Sequence, residues 1–190
     1  MGEYFALVYS KEIKGHFVTL RSITHDDAEF SYNLRKDPRF VSIMGQPAAT
    51  IEDQRKFIEW QMKQPGDYYF VVFNNEGERI GLIGVYDVKD DSCEVGREIN
   101  IGAPYETMEA QLLINDFILD VLKLKYKCSV IYKHNKKQLE MQRQKGIVPI
   151  GEVVRSGVSS FAFKTLAEDE KKNFDKVRAI IEKLAAKRGR

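Results

Sequence analysis

Three β-rich runs separated by two polar turns constrain the fold of this chain more than any other feature. Tyr68 to Phe73 meets Asn74-Asn75-Glu76-Gly77, Arg79 to Val88 returns from it, and Lys89-Asp90-Asp91-Ser92 leads into Cys93 to Ile101. Short loops rich in Asn, Asp and Gly between β-rich runs are what hairpins require. The centre of the chain is therefore a three-stranded antiparallel meander. A helix from about Thr107 to Leu124 follows, its apolar stripe (Met108, Leu112, Leu113, Phe117, Ile118, Val121, Leu122) wide enough to cover a sheet face. Cys128 to Tyr132 is then a short strand. Strand, helix, strand at this spacing implies a parallel crossover joined to the meander. The fold class is α/β (α+β): a mixed, mostly antiparallel central sheet flanked by helices.

The flanking segments carry clear start and stop signals. His16 to Ile23 reads as a strand, and Thr24-His25-Asp26-Asp27 resembles a capping box opening a helix to about Lys36, where Asp37-Pro38 stops it. Thr50-Ile51-Glu52-Asp53 opens a second helix to about Gln64, closed by Pro65-Gly66. Asn135 to Lys145 is a polar helix ended by Gly146, with strands at Ile147 to Val154 and Ser159 to Lys164. Thr165-Leu166-Ala167-Glu168 caps an extra C-terminal helix with Phe174, Val177, Ile181 and Leu184 on one face. This divides the chain into a domain over 1–165 and, over 166–190, an amphipathic helix with a basic tail that packs on the domain or on a partner.

Composition narrows the function classes. The 190 residues suit one domain, and 43% hydrophobic content excludes a disordered chain. Thirty basic against twenty-eight acidic residues give no global field for nucleic acid; only Lys187-Arg188-Gly189-Arg190 is locally basic. Cys93 and Cys128 lie far apart with no histidine beside either, so a structural zinc site is not expected, and two strand thiols in a reducing cytoplasm fit better than a disulfide. His16, His25 and His134 share no metal-like spacing. Met1-Gly2-Glu3-Tyr4 lacks the basic start and apolar run of a signal peptide, and Ala6 stands where myristoylation wants Ser or Thr. The apolar stretch around Gln111 to Leu124 is broken by Asn115, Asp116, Asp120 and Lys123, so no membrane span is expected. The expected location is the cytoplasm, with neither nucleic acid nor membrane as partner and a homodimer as one possible assembly.

The element order resembles the GNAT superfamily of acyl-CoA-dependent N-acyltransferases over roughly residues 16 to 165. Val18-Thr19-Leu20-Arg21 with Asp26-Asp27 and Leu34-Arg35-Lys36-Asp37-Pro38 is similar to the first strand and helix of the branch that acetylates protein N-termini and nucleotide-linked amino sugars. Thr50-Ile51-Glu52-Asp53-Gln54-Arg55-Lys56-Phe57 with Trp60 resembles that branch's second helix, and Asn135 to Ile147 has the spacing of the family's Asn-x-x-Ala to Gly-Phe segment. The resemblance implies transfer of an acetyl group from acetyl-CoA to a primary amine, with no metal. The implied acceptor is a small molecule, first an amino sugar on a nucleotide; a protein N-terminus, another small amine, or a non-catalytic binding protein are the alternatives.

Two departures from that family bear on the site. The acyl-CoA pyrophosphate loop corresponds to Asn100-Ile101-Gly102-Ala103-Pro104-Tyr105-Glu106-Thr107, which keeps one glycine, is about two residues short and carries a proline that cannot donate. It is either a shortened cofactor loop, with Ile99, Asn100, Ile101, Gly102, Ala103, Tyr105, Thr107 and Met108 around the donor, or an ordinary strand-to-helix turn. The family's tyrosine acid is replaced by Gln142, whose amide can hydrogen-bond a sulfur but cannot protonate it; Tyr105 or Tyr132 could substitute, or Gln142 is a solvated helix residue. Strand alternation expects Glu94, Glu98 and Asn100 on one face and Arg97 on the other. A carboxylate there, among apolar residues, can have a raised pKa and act as base, Glu98 first and Glu94 second, unless both are exposed and paired with Lys or Arg. Asn135 is a candidate for the pantetheine arm and equally a helix N-cap.

Overall fold

The computed structural model describes residues 8–44 and 46–189. Eight strands form one sheet in the order β1-β2-β3-β4-β5-β6-β8-β7: Ile13–Lys14, Val18–Ser22, Tyr68–Asn74, Arg79–Lys89, Ser92–Asn100, Tyr126–Tyr132, Gly151–Arg155 and Val158–Leu166 for β1 to β8. Every pairing is antiparallel except β5 with β6. That single parallel contact is the expected crossover, made by α4 (Pro104–Asp116) and a short π-helical turn (Phe117–Val121).

Local signals set most helix ends. Thr24 donates its N–H to the Asp27 carboxylate at 2.8 Å, and a 3-10 turn at His25–Asp27 leads into α1 (Ala28–Lys36). The Asp53 N–H donates to Thr50 Oγ1 at 3.1 Å, opening α3 (Ile51–Gln61). Asp37-Pro38 ends α1 but also begins a helix that the sequence reading did not anticipate, α2 (Pro38–Met44). Proline is well suited to a first helical turn, so one residue served as both stop and start. The remaining helices are α5 (Lys136–Gln144) and α6 (Ala167–Lys187).

The sheet is covered on both faces. On one, α1 and α3 bury Ala28, Leu34 and Ile58 against Ile23, Tyr69, Val71, Leu82 and Ile99. On the other, α4 and α6 bury Ala110, Leu113, Ile114, Ile181 and Ala185 against Phe17, Phe70, Ile83, Val85 and Cys93. The C-terminal helix thus packs on its own domain. A buried carboxylate fixes α4 to the sheet: Glu109 accepts from the N–H groups of His16 (2.7 Å), Phe17 (2.6 Å) and Val18 (2.9 Å). Gly15 allows that approach, because a Cβ there would lie 2.4 Å from the Glu109 carboxyl carbon.

One irregularity governs the site. Between Gly84↔Gly96 and Leu82↔Ile99, β4 advances two residues while β5 advances three, with Arg97 in the left-handed region at φ 54°. This β-bulge reverses the facing of everything beyond it. Glu94 sits opposite Tyr86 on the α1–α3 side, whereas Glu98 meets Gln111 of α4 on the other. The expected alternation of Glu94, Glu98 and Asn100 on one face is corrected accordingly: Glu98 and Asn100 share a face, and Arg97 joins Glu94, its guanidinium 4.0 Å from the Tyr86 ring centre.

Candidate active site

The β5–β6 ladder is short. It pairs Ser92↔Tyr126, Cys93↔Lys127 and Glu94↔Cys128, and then the strands part. The gap opens into a cavity of about 420 Å³ lined by both strands, by Gln111 and Asn115 of α4, by Gln138, Met141 and Gln142 of α5, and by Glu170 and Phe174 of α6. That volume suits a small ligand or one arm of a larger one. Main-chain groups on the two parted edges have no neighbouring strand, so an extended amide-bearing chain can pair with them as a strand would.

Glu94, Glu98, Asn135 and Gln142 all line this cavity. Asn135 also caps α5, accepting from the Gln138 N–H at 3.3 Å, so its two expected roles coexist. Glu98 is half-buried and accepts one hydrogen bond, from Gln111 Nε2 at 2.7 Å. Burial pushes its carboxyl above the ordinary value, outweighing the Gln111 bond and the Lys145 charge. Glu94 has a different environment. Its carboxylate is held by both Arg155 Nη atoms and accepts from the Tyr86 hydroxyl at 2.7 Å. Tyr132 lines the cavity, whereas Tyr105 packs 4.8 Å from the Phe17 ring with the Arg188 guanidinium above it.

The segment read as either a shortened cofactor loop or an ordinary turn lies outside this cavity: Ile99, Asn100, Ile101, Gly102, Ala103, Tyr105, Thr107 and Met108 do not line the gap. Ile99 is a core residue, and Met108 is half-buried on α4. Ile101 donates its N–H to the Ile80 carbonyl at 2.8 Å, Gly102 to Asn100 Oδ1 at 2.8 Å, and Ala103 to Glu106 Oε2 at 2.7 Å. Thr107 donates its hydroxyl to the Ala103 carbonyl at 3.4 Å.

Several polar residues of the cavity escaped the sequence reading. On the α1–α3 side, Arg97 makes a bidentate pair with Asp67 (2.6 and 3.0 Å), below Phe57 and Tyr86, and Arg35 reaches the same wall. On the other side Lys127 pairs with Glu170 of α6, accompanied by Asn115 Oδ1 at 3.1 Å and the Phe174 ring. Burial lowers the Lys127 ammonium pKa despite Glu170. Gly96 inside a strand was the one signal that could have found the bulge at Arg97. The ion pairs themselves, Asp67 with Arg97 and Lys127 with Glu170, join residues 30 or more apart in sequence and leave no local trace. Cys93, at the buried root of the gap, has its thiol pushed up to about 12 by burial, which leaves it inert as a nucleophile near neutrality.

No curated protein matches this sequence. Among solved structures it is similar to a GCN5-related N-acetyltransferase from Brucella melitensis, with TM-score 0.75 and 16% identity over 91% of this chain and 86% of that one. It is similar to a nucleotide-linked sugar GNAT, FdhC (TM-score 0.69, 19% identity, 87% and 96% coverage). A spermidine N-acetyltransferase from Vibrio cholerae, solved with CoA and spermine, gives TM-score 0.67 at 18% identity, covering 80% of this chain and 96% of that one. At such identities the likeness speaks for the fold. The family model for the acetyltransferase (GNAT) domain matches residues 18–147, more than half of the chain. With its sheet parted between β5 and β6 inside that span, the chain belongs to the acetyltransferase (GNAT) domain family and is an acyl-CoA-dependent N-acetyltransferase.

Proposed function

We propose that the acceptor is the primary amine of an amino sugar carried on a nucleotide, and that Glu98 is the base that deprotonates it. Charge on the α1–α3 wall carries the reading. Asp67 and Glu94 are neutralised by Arg97 and Arg155, while among the described residues no carboxylate pairs with Arg35. The wall is left with net positive charge. A nucleotide diphosphate gains from it, whereas a polyamine would bring its cations against a guanidinium. Phe57, Tyr86 and the exposed Trp60 (53% accessible) offer ring faces for a base or sugar.

The chemistry is direct transfer. The neutral amine attacks the thioester carbonyl, the C–S bond breaks, and the amine proton passes to Glu98, directly or through one water. The thiolate, with a free pKa of about 8.5, leaves without needing a strong acid. Gln142 offers its NH₂ to the departing sulfur, and Tyr132 is the hydroxyl at hand to return a proton. Glu94 is unsuited as base, because its lone pairs are already engaged by Arg155 and Tyr86.

An acceptor panel tests the assignment: acetyl-CoA with a nucleotide-linked amino sugar, the free amino sugar, an N-terminal peptide and spermidine, followed by mass spectrometry. The expected order places the nucleotide-linked sugar first, by about a hundredfold in kcat/KM over the free sugar, since two charge-assisted contacts are lost with the nucleotide. Arg35→Ala should erase most of that advantage. Preferential acetylation of spermidine would refute the reading.

A further inference from the structure

The amino end of α4 has almost nothing left to give an anion. The Ile101 N–H is spent on the Ile80 carbonyl of β4, those of Gly102 and Ala103 within the turn, Pro104 has none, and Glu106 and Thr107 both donate to the Ala103 carbonyl at 3.0 and 3.1 Å. A diphosphate would find at most the Tyr105 N–H. The Glu106 carboxylate also fills the place an anion would take: it is 9% exposed and bonded to the Ala103 N–H. The space around it is closed, because a Cβ on Gly102 would lie 2.7 Å from both Glu106 Oε2 and Ile80 Cδ1. A phosphate there would meet a like charge and, from the main chain, the single N–H of Tyr105.

The parted strands are the opposite case. Beyond Glu94 and Cys128 the facing edges of β5 and β6 carry unpaired main-chain groups, and the side-chain amides of Asn135, Gln138 and Gln142 line the mouth. A pantetheine arm has two amides and suits such a slot. We propose that the amino end of α4 takes no phosphate of the donor, so that CoA gains no affinity over pantetheine from its diphosphate. This inference rests on the acyl-transfer reading above and concerns only how the donor is held. The ligand class is a pantetheine thioester, for which the nucleotide is a passenger.

The test is isothermal titration of the full chain with CoA and with pantetheine, repeated on Glu106→Gln, which keeps an oxygen for the Ala103 N–H and removes the charge. A thermal melt confirms that the variant is folded. The expected result is that the two ligands bind within about tenfold of each other and that Glu106→Gln moves neither Kd by more than about threefold. A diphosphate held by several main-chain amides would instead favour CoA by about a hundredfold or more. A CoA preference above about tenfold overturns the inference, as does selective tightening of CoA in Glu106→Gln. If both ligands bind but CoA is far tighter, only this inference falls; if neither binds, the acyl-transfer reading falls with it.

Discussion

Replacing Glu98 by Gln separates the chemistry of the cavity from its architecture. The glutamine has the same shape and keeps an oxygen for the Gln111 Nε2 bond, 2.7 Å long in the native protein. It cannot accept the amine proton. General-base catalysis by a positioned carboxylate contributes about 10²- to 10⁴-fold, so kcat should fall by that factor with KM for the donor little changed. Stability should move the other way. Because burial raises the Glu98 pKa, the folded state holds this proton more tightly than the unfolded chain does. Ionising the side chain therefore costs folding energy, absent below the unfolded pKa and full above the folded one. At neutral pH the glutamine variant escapes that cost and should melt no lower than the native protein. The same shift sets the pH profile of native turnover: activity declines as pH falls through the raised carboxyl pKa, and this acid limb vanishes in Glu98→Gln. Steady-state kinetics across pH, together with a thermal melt, check all three points. Unchanged kcat would remove Glu98 from the mechanism, and a lost kcat accompanied by a collapsed melting temperature would refute the reasoning on burial.

Two further outcomes follow from the ion pairs. Asp27 is fully buried, and although burial opposes its ionisation, Arg21 (2.9 Å), the Thr24 N–H and Arg79 (2.9 Å) hold its carboxyl below the ordinary value. Asp27→Asn should cost about 2–3 kcal/mol at pH 7, less than a wholly buried pair because both arginines reach water. A depressed pKa gives stability that is lost as pH falls, so urea unfolding should show the gap to native narrowing as pH drops through the ordinary Asp value of about 3.9 and on through the lower folded one. Glu170→Ala leaves the Lys127 ammonium buried without its partner and should cost about 3 kcal/mol, whereas Lys127→Met combined with Glu170→Leu should recover most of that; strictly additive losses in a double-mutant cycle would refute the coupling.

How much of this was written locally can be judged element by element. The meander, its two turns, the Thr24 and Thr50 caps and the terminal helix were legible because each depends on neighbours within a few residues. The crossover was legible too, since strand, helix and strand at that spacing admit one arrangement. Asn135 and Glu98 could be nominated from their places on predicted elements, and both line the cavity. The face of each β5 side chain could not be read. A single extra residue at Arg97 inverts the alternation, and only the pairing with β4 reveals it. Nor could sequence say that Glu94 is spent on Arg155, 61 residues away, or that Glu106 turns back to occupy the amino end of its own helix. Sequence by itself determined the main elements and their order, all but the two-residue β1 and the short α2, because backbone propensity and hydrophobic period are short-range. The tertiary structure alone decided which carboxylate is free to act, because charge is neutralised by whatever folding brings beside it.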